Sequence, residues 1–144
     1  MHATAVWQGG YATRLDDGRG HAIVVDLPED EDGRDTGTSS LELAVLSLAG
    51  CISTIFALVA RKRRLPCEGL RVTLDAERPE GSPTISVVSG VAEVTTSAPV
   101  VDVETVLRLT LRTCPVGVLL ERAQIPVHVT LKAVSPSTLP RTPA

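Results

Sequence analysis

The chain has 144 residues, of which 43% are hydrophobic and 22% charged; this balance fits one folded domain and argues against a disordered chain. Aromatic residues make up only 2%, so we expect an aliphatic core and no surface that stacks unpaired bases. The net charge of −3 argues against a basic groove for nucleic acid.

The number of cysteines argues against a scaffold held by disulfides and for a catalytic or regulatory cysteine pair. Three cysteines are too few, and odd in number, for a secreted scaffold held by disulfides. No charged segment followed by an apolar stretch comes after Met1, so we expect a cytoplasmic location. There, a cysteine pair is more often catalytic or regulatory than structural. The histidines are scattered and no Cys-x-x-Cys spacing occurs, so we expect no metal and no cofactor.

Three short strands are predicted near the N-terminus, at 3–7, 11–15 and 22–27, with glycine-containing turns between them. Residues 28–38 are acidic and lack periodicity, which indicates an exposed loop.

A long apolar helix is predicted from Ser39 to about Arg64. Ser39 and Glu42 match a capping box, and the helix must end before Pro66. A glycine inside a helix costs about 1 kcal/mol relative to alanine, so Gly50 indicates that another element packs closely beside Cys51.

The apolar segment 41–60 carries one charge and is long enough to cross a membrane. Its serine, threonine and glycine residues, and the amphipathic elements elsewhere that need a core partner, favour a buried central helix instead. The basic run 61–64 is interpreted as the solvated end of this helix.

The second half of the chain predicts a strand hairpin, two helices and a last strand. The ranges are strands 69–78 and 84–96, helices 100–112 and 116–123, and a strand at 127–134. Strands and helices do not alternate one by one, so the fold class is α+β. We expect a single domain over 1–134 and a flexible tail at 135–144.

The three cysteines differ in local context. Cys51 lies inside the most apolar helix, where a small buried hydrophobe is the commoner role. Cys114 precedes Pro115 at the position that would cap the next helix, where free N–H groups favour a thiolate; a buried turn cysteine is the equal alternative. Cys67 follows Pro66 in a loop and is interpreted as structural.

Two cysteine motifs, taken together, resemble those of the OsmC/Ohr family of thiol proteins that handle organic hydroperoxides. The first is Gly37-Thr38-Ser39-Ser40-Leu41-Glu42-Leu43 followed by Leu48-Ala49-Gly50-Cys51, and the second is Cys114-Pro115-Val116 with Leu119-Leu120-Glu121. Trp7, Gly20-His21 and Asp26 resemble the OsmC-like branch, and the likeness covers roughly residues 3–134.

The resemblance implies a fold and a chemistry. The fold is an intertwined homodimer with antiparallel sheets around long central helices. Cys51 would attack the peroxide and become a sulfenic acid, and Cys114 would then form a disulfide that a dithiol reductant reopens. The implied partners are the hydroperoxide, the dithiol and a second copy of the chain, with no nucleic acid and no membrane.

The chain departs from the family's peroxidase pattern at the groups that activate the first cysteine. Active members carry a glutamate ten positions before that cysteine, where this chain has Leu41, and many carry an arginine where it has Tyr11. The nearest substitutes are Glu42 and Arg14, with Arg19 as a second arginine. The predicted catalytic set is therefore Cys51, Cys114, Arg14 and Glu42.

The function predicted is thiol-dependent reduction of organic hydroperoxides. The alternatives are a catalytically weak dimer that binds a small hydrophobic ligand in an apolar pocket, and a regulatory thiol sensor. Turnover of an alkyl hydroperoxide with a dithiol separates the first from the others.

Overall fold

A computed structural model describes residues 1–136, which form two compact units, Met1–Leu46 and the chain from Ser47 onward. The elements follow the predicted α+β order of three strands, a long helix, two strands, two helices and a final strand. The single domain over 1–134 stays a prediction. Of the predicted tail, 137–144 lies outside the described residues.

The first unit contains an antiparallel meander of β1 (Thr4–Trp7), β2 (Thr13–Asp16) and β3 (Ala22–Val25). All three strands lie within the ranges predicted for them, apart from the last residue of β2. The acidic loop that follows includes a short 3-10 turn, Glu29–Glu31, which its lack of periodicity did not predict.

The second unit is built on a three-stranded sheet in the order β4 (Gly69–Glu77), β5 (Val87–Thr95) and β6 (Val127–Val134). β4 and β5 form the predicted antiparallel hairpin. β6 instead runs parallel to β5, with Val127 opposite Val88. The expectation of antiparallel sheets is therefore wrong for this pair of strands. The chain leaves β5 and passes through two helices before β6, and such a crossover returns it to the same end of the sheet.

The crossover consists of α2 (Val100–Thr113) and α3 (Pro115–Arg122), joined at Cys114. Both helices have nearly the predicted bounds. The break between them follows from Pro115, because a residue before proline is disfavoured in the helical conformation and proline suits the first position of a new helix.

The long helix α1 (Ser40–Lys62) begins with the predicted capping box. The backbone N–H of Ser39 donates to the Glu42 carboxylate at 2.8 Å, and the backbone N–H of Glu42 donates to Ser39 Oγ at 3.3 Å. These reciprocal bonds satisfy two donors that a helix start otherwise leaves without partners.

One stripe of α1 is buried in the second unit. Leu48, Ile52, Phe56 and Ala60 recur every fourth position and are at most 2% exposed, as one face of a helix requires. Phe56 and Ala60 pack with side chains of β5 and α2, which are Ala92, Val94, Val103, Val106 and Leu107. The core is aliphatic apart from Phe56, as the composition predicts.

Another stripe of α1 stays exposed in the single chain. Leu46 is 55% and Leu58 42% exposed. A Cβ at Gly50 would meet no described atom of its own unit within 4 Å, so the expected close packing beside this glycine is not found. α1 has the length and hydropathy of a membrane span, with 22% of its window buried. The expected burial of the central helix is therefore confined to one stripe.

We expect Phe56→Ala to lower the free energy of unfolding by about 3–5 kcal/mol, because it opens a cavity in a fully buried site. Urea titration followed by circular dichroism measures the change. Leu119→Ala, at a side chain that is 64% exposed, is the control and should change stability by less than about 0.5 kcal/mol. Equal effects of the two substitutions would contradict this assignment of the core.

Candidate active site

Cys51 and Cys114 lie in contact in the second unit. Their Sγ atoms are 2.8 Å apart, with the Cys114 thiol donating a hydrogen bond to the sulfur of Cys51. Both cysteines are free thiols. A disulfide bond is about 2.05 Å long, so the contact brings the sulfurs within about 1 Å of the bonded separation. The pair can therefore exchange between a dithiol and a disulfide with little displacement of the sulfurs.

The junction between α2 and α3 positions Cys114. Its backbone is extended, with φ −66° and ψ 112°, and its N–H closes α2 by donating to the carbonyl of Thr110 at 2.8 Å. At the same time its sulfur caps α3 by accepting from the N–H of Gly117 at 3.4 Å. The predicted capping position of Cys114 is confirmed, and one residue thus ends one helix and begins the next.

The two thiols differ in their access to solvent. Cys114 is completely buried, whereas Cys51 is half-buried. Burial, followed by the hydrogen bond with Cys51, raises the pKa of Cys114 to about 11. The N–H groups of Gly117 and Val116 act in the opposite direction but are outweighed. The expectation that the helix start makes Cys114 an acidic thiol is therefore wrong. In the contact between the two sulfurs, Cys114 is the donor and Cys51 the acceptor.

The candidate arginines lie in the first unit and are paired there. Arg14, in β2, donates to Asp16 at 3.0 Å with its side chain 45% exposed. Arg19 contacts Asp17 at 2.7 Å. Both pairs bridge residues two positions apart, so the arginines support the meander and its turn. A part for Arg14 in activating Cys51 stays a prediction.

Glu42 is engaged at the start of α1. Its carboxylate accepts from the backbone N–H of Ser39 and, at 3.2 Å, from the hydroxyl of Thr38. The bonds with Ser39, and then with Thr38, hold the pKa of Glu42 below its usual value. The contacts with Ser39 and Thr38 place this carboxylate at the cap of α1, and a catalytic role for Glu42 stays a prediction.

Cys67 is exposed in the loop before β4. Its thiol makes a weak hydrogen bond of 3.7 Å to the carbonyl of Gly69, and partial loss of water around the sulfur raises the pKa of Cys67. The residue is not part of the core, which differs from its interpretation as a structural cysteine.

A pocket of about 450 Å³ in the second unit touches Cys114 but not Cys51. Its walls are largely apolar, and its charged and polar side chains come from the ends of the crossover and the start of β6. The lining residues are Leu48, Ile52, Leu111, Arg112, Cys114, Gly117, Glu121, Gln124, Ile125, Pro126, Val127 and His128. The volume is in the range of small-molecule sites.

Sequence reasoning did not find the polar residues of this pocket. Arg112, Gln124 and His128 share no motif, and only the parallel placement of β6 beside β5 brings His128 to the end of α2. Among residues 1–136, no cluster of three or more His, Cys, Asp or Glu side chains could hold a metal ion.

Comparison with protein families gives a match over most of the chain. The family model described as OsmC-like protein matches residues 32–130. The chain belongs to the OsmC-like family. No curated protein matches it significantly. Proteins of this family are generally soluble.

Solved structures confirm the fold of this OsmC-like chain. An OsmC-like protein from Mycoplasma pneumoniae aligns with a TM-score of 0.81 at 17% identity, over 92% of this chain and 95% of that one. Organic hydroperoxide resistance proteins from Elizabethkingia anophelis and Legionella pneumophila align with TM-scores of 0.74 and 0.71, both at 18% identity. These alignments cover 92% and 90% of this chain, and 95% and 94% of the relatives.

We expect Cys51→Ala to lower the pKa of Cys114 from about 11, because the hydrogen bond and the charge of Cys51 both raise it. The value should stay above 9.0, since burial remains the largest cause. Ultraviolet absorbance of the thiolate against pH, in a Cys67→Ser background, measures the titration of this one thiol. A pKa that does not fall would show that Cys51 has no influence on the Cys114 proton.

Proposed function

We propose that this OsmC-like protein is a thiol-dependent peroxidase that reduces organic hydroperoxides through Cys51 and Cys114. The observation that carries the proposal is the 2.8 Å contact between two free thiols, in which the buried Cys114 donates to the more accessible Cys51. The names of the Elizabethkingia and Legionella relatives support the choice of hydroperoxide as the substrate class.

The cycle has three balanced steps. The Cys51 thiol loses its proton, and the thiolate attacks the outer peroxide oxygen; the O–O bond breaks, the departing alkoxide takes up a proton and leaves as the alcohol, and Cys51 becomes a sulfenic acid. The Cys114 sulfur then attacks the sulfenic sulfur, and water leaves as the disulfide forms. A dithiol finally reduces the disulfide, restoring both thiols and becoming a disulfide itself.

The exposure of the two sulfurs supports this order of events. A peroxide from solvent meets Cys51 first, because Cys114 has no exposed surface. The thiolate is the nucleophilic form of cysteine, and the pKa of the buried Cys114 is raised to about 11, which disfavours a thiolate on that sulfur. Cys114 needs only contact with Cys51 to resolve the sulfenate, and the structure provides that contact.

The apolar pocket of about 450 Å³ favours a second candidate, a binding module for a small hydrophobic ligand. The two functions differ in turnover: a binding module would hold an apolar ligand in stoichiometric amount and would consume no peroxide with a dithiol present. A thiol sensor would form the disulfide but would show little continued consumption of peroxide with a dithiol present.

One equivalent of an alkyl hydroperoxide, added without oxygen, should remove two of the three thiols and link Cys51 to Cys114. Thiol counting and peptide mass mapping measure both results. Cys67→Ser, at the exposed third cysteine, is the control and should leave the disulfide yield unchanged. A Cys51–Cys67 bridge, or three unreacted thiols, would remove the mechanism.

Single variants separate the roles of the two cysteines. Cys114→Ser should accumulate sulfenate at Cys51, detectable with a dimedone trap, because the resolving sulfur is missing. Cys51→Ser should reduce peroxide consumption to the uncatalysed background. If Cys51→Ser consumes peroxide and Cys114→Ser does not, the attacking and resolving roles of the two cysteines are reversed. Two variants that both behave like the parent would leave the binding module as the function.

We propose further that the protein is a homodimer that covers the exposed stripe of α1. Leu46 and Leu58 are the large apolar side chains of this stripe, and Gly50 and Thr54 between them are exposed and small enough to admit a second helix closely. Such a contact would supply the neighbour that Gly50 lacks among residues 1–136 of the single chain.

Leu58→Glu should weaken the dimer at least about 30-fold, as expected for a charge introduced into an apolar interface. Sedimentation equilibrium measures the association constant. Leu119→Glu places the same charge on an exposed leucine of α3 and should leave association unchanged. A parent protein that is monomeric at micromolar concentration would contradict the dimer.

A further inference from the structure

A hydroxyl group lies in the buried stripe of α2, about one turn before Cys114. The buried residues of this helix are Val103, Val106, Leu107 and Thr110. Thr110 is completely buried, and Cys114, also completely buried, follows it by four positions. Burying a hydroxyl lowers stability unless the hydroxyl is hydrogen-bonded, and a valine would fill this position without that requirement. The threonine therefore indicates a role other than packing.

The hydroxyl of Thr110 is bonded within its own helix. Its Oγ1 donates to the carbonyl of Val106 at 2.8 Å. In a regular helix that carbonyl also accepts the backbone N–H of Thr110, so it takes two hydrogen bonds. Side-chain bonds to the carbonyl four residues earlier bend helices. The hydroxyl therefore affects the direction of the last turn of α2.

The backbone of Thr110 holds the backbone of Cys114. The carbonyl of Thr110 accepts the N–H of Cys114 at 2.8 Å. Pro115, the next residue, has no N–H with which to extend the helix. Thr110 thus acts on α2 twice, through a hydroxyl that bends the helix and through a carbonyl that fixes the residue at its end.

We propose that Thr110 is a positioning residue for the thiol pair, and that its buried hydroxyl sets the angle at which α2 brings Cys114 to Cys51. The inference rests on the proposed function, in which the two sulfurs pass between a contact and a bond. The sulfurs are 2.8 Å apart, and a disulfide about 2.05 Å long tolerates little distortion before it becomes easier to reduce. A small change in the end of α2 therefore alters the stability of the disulfide, although Thr110 does not touch the reacting atoms.

Two other threonines of α2 form the same kind of bond and show what is particular to Thr110. The hydroxyl of Thr113 donates to the carbonyl of Leu109 at 2.8 Å, but Thr113 is exposed, so water can replace its bond. The hydroxyl of Thr105 donates to the carbonyl of Val101 at 2.9 Å. Thr105 lies nine positions before Cys114, too far to set the last turn, and is therefore the matched control.

Two substitutions at position 110 separate positioning from packing. Thr110→Val keeps the branched shape and removes the hydroxyl, so the core stays filled while the bond to Val106 is lost. Thr110→Ser keeps the hydroxyl and removes the buried methyl group, so the bond remains while the core is weakened. A purely structural role would impair the thiol pair most in the less stable variant, whereas a positioning role impairs it in the variant without the hydroxyl.

The first measurement is the equilibrium between the Cys51–Cys114 disulfide and dithiothreitol, in a Cys67→Ser background. Each dithiothreitol reduces one protein disulfide by two thiol–disulfide exchanges and becomes a cyclic disulfide. Acid quenching, alkylation and mass spectrometry count the reduced and oxidised protein. Thr110→Val should shift the equilibrium toward the reduced protein about fivefold, the equivalent of one neutral hydrogen bond, while Thr110→Ser and Thr105→Val should stay within about twofold of the parent.

The second measurement is urea unfolding of the reduced proteins. Thr110→Val should unfold at no lower urea concentration than the parent, and Thr110→Ser at a lower one. The proposal would be overturned by a parental disulfide equilibrium in Thr110→Val, or by a disulfide in Thr110→Ser that is impaired as much as in Thr110→Val. The equilibrium needs no peroxide, so a parent that forms this disulfide but does not react with peroxide would overturn the proposed function alone.

Discussion

The extended backbone at Cys114 is the constraint on which the site depends. Pro115 disfavours a helical conformation at the preceding residue, so α2 must end where α3 begins. This break puts one side chain at a helix end and a helix start simultaneously, with its sulfur turned toward α1. A continuous helix from Val100 to Arg122 would carry the same cysteine without the cap, the angle between the helices or the pocket that they border.

At Cys114, the effect of burial on the pKa of the thiol outweighs the effect of the helix start. A helix start stabilises an anion by about 0.3–1 kcal/mol, which is less than one pKa unit. Complete burial can raise a thiol's pKa by up to about 3–5 units. The N–H groups of Val116 and Gly117 therefore moderate the pKa of Cys114 without reversing its rise. The cap was expected to favour a reactive thiolate. Its hydrogen bond from Gly117 instead holds the sulfur in place.

Local signals were sufficient for most elements. The capping box at Ser39 and Glu42, the alternation over β4 and the proline after Cys114 each act within a few residues, and each predicted an element that the structure contains. The likeness to OsmC proteins added the pairing of Cys51 with Cys114. No spacing argument could have supplied it, because the two residues lie in different helices.

Features that depend on the whole chain were not predictable in this way. The parallel direction of β6, and with it the place of His128 in the pocket, follows from the path of the crossover rather than from any pattern in the strand. The exposure of Cys67 and the open space beside Gly50 depend on what packs nearby. Whether Arg14 acts on Cys51 depends on the arrangement of the two units. Local sequence patterns do not predict that arrangement either.

The parallel β5–β6 pair also has a consequence for folding. The β4–β5 hairpin pairs Glu77 with Val87 across the connection 78–86, whereas β6 can join β5 only after the whole crossover has been made. Contacts between residues distant in sequence form slowly, because a long loop must close first. The two cysteines are 63 positions apart, so we expect their sulfurs to meet late in folding, when α2 and α3 have docked. We therefore expect a newly made chain to carry two separated thiols, each able to react with the wrong partner, until the crossover has formed.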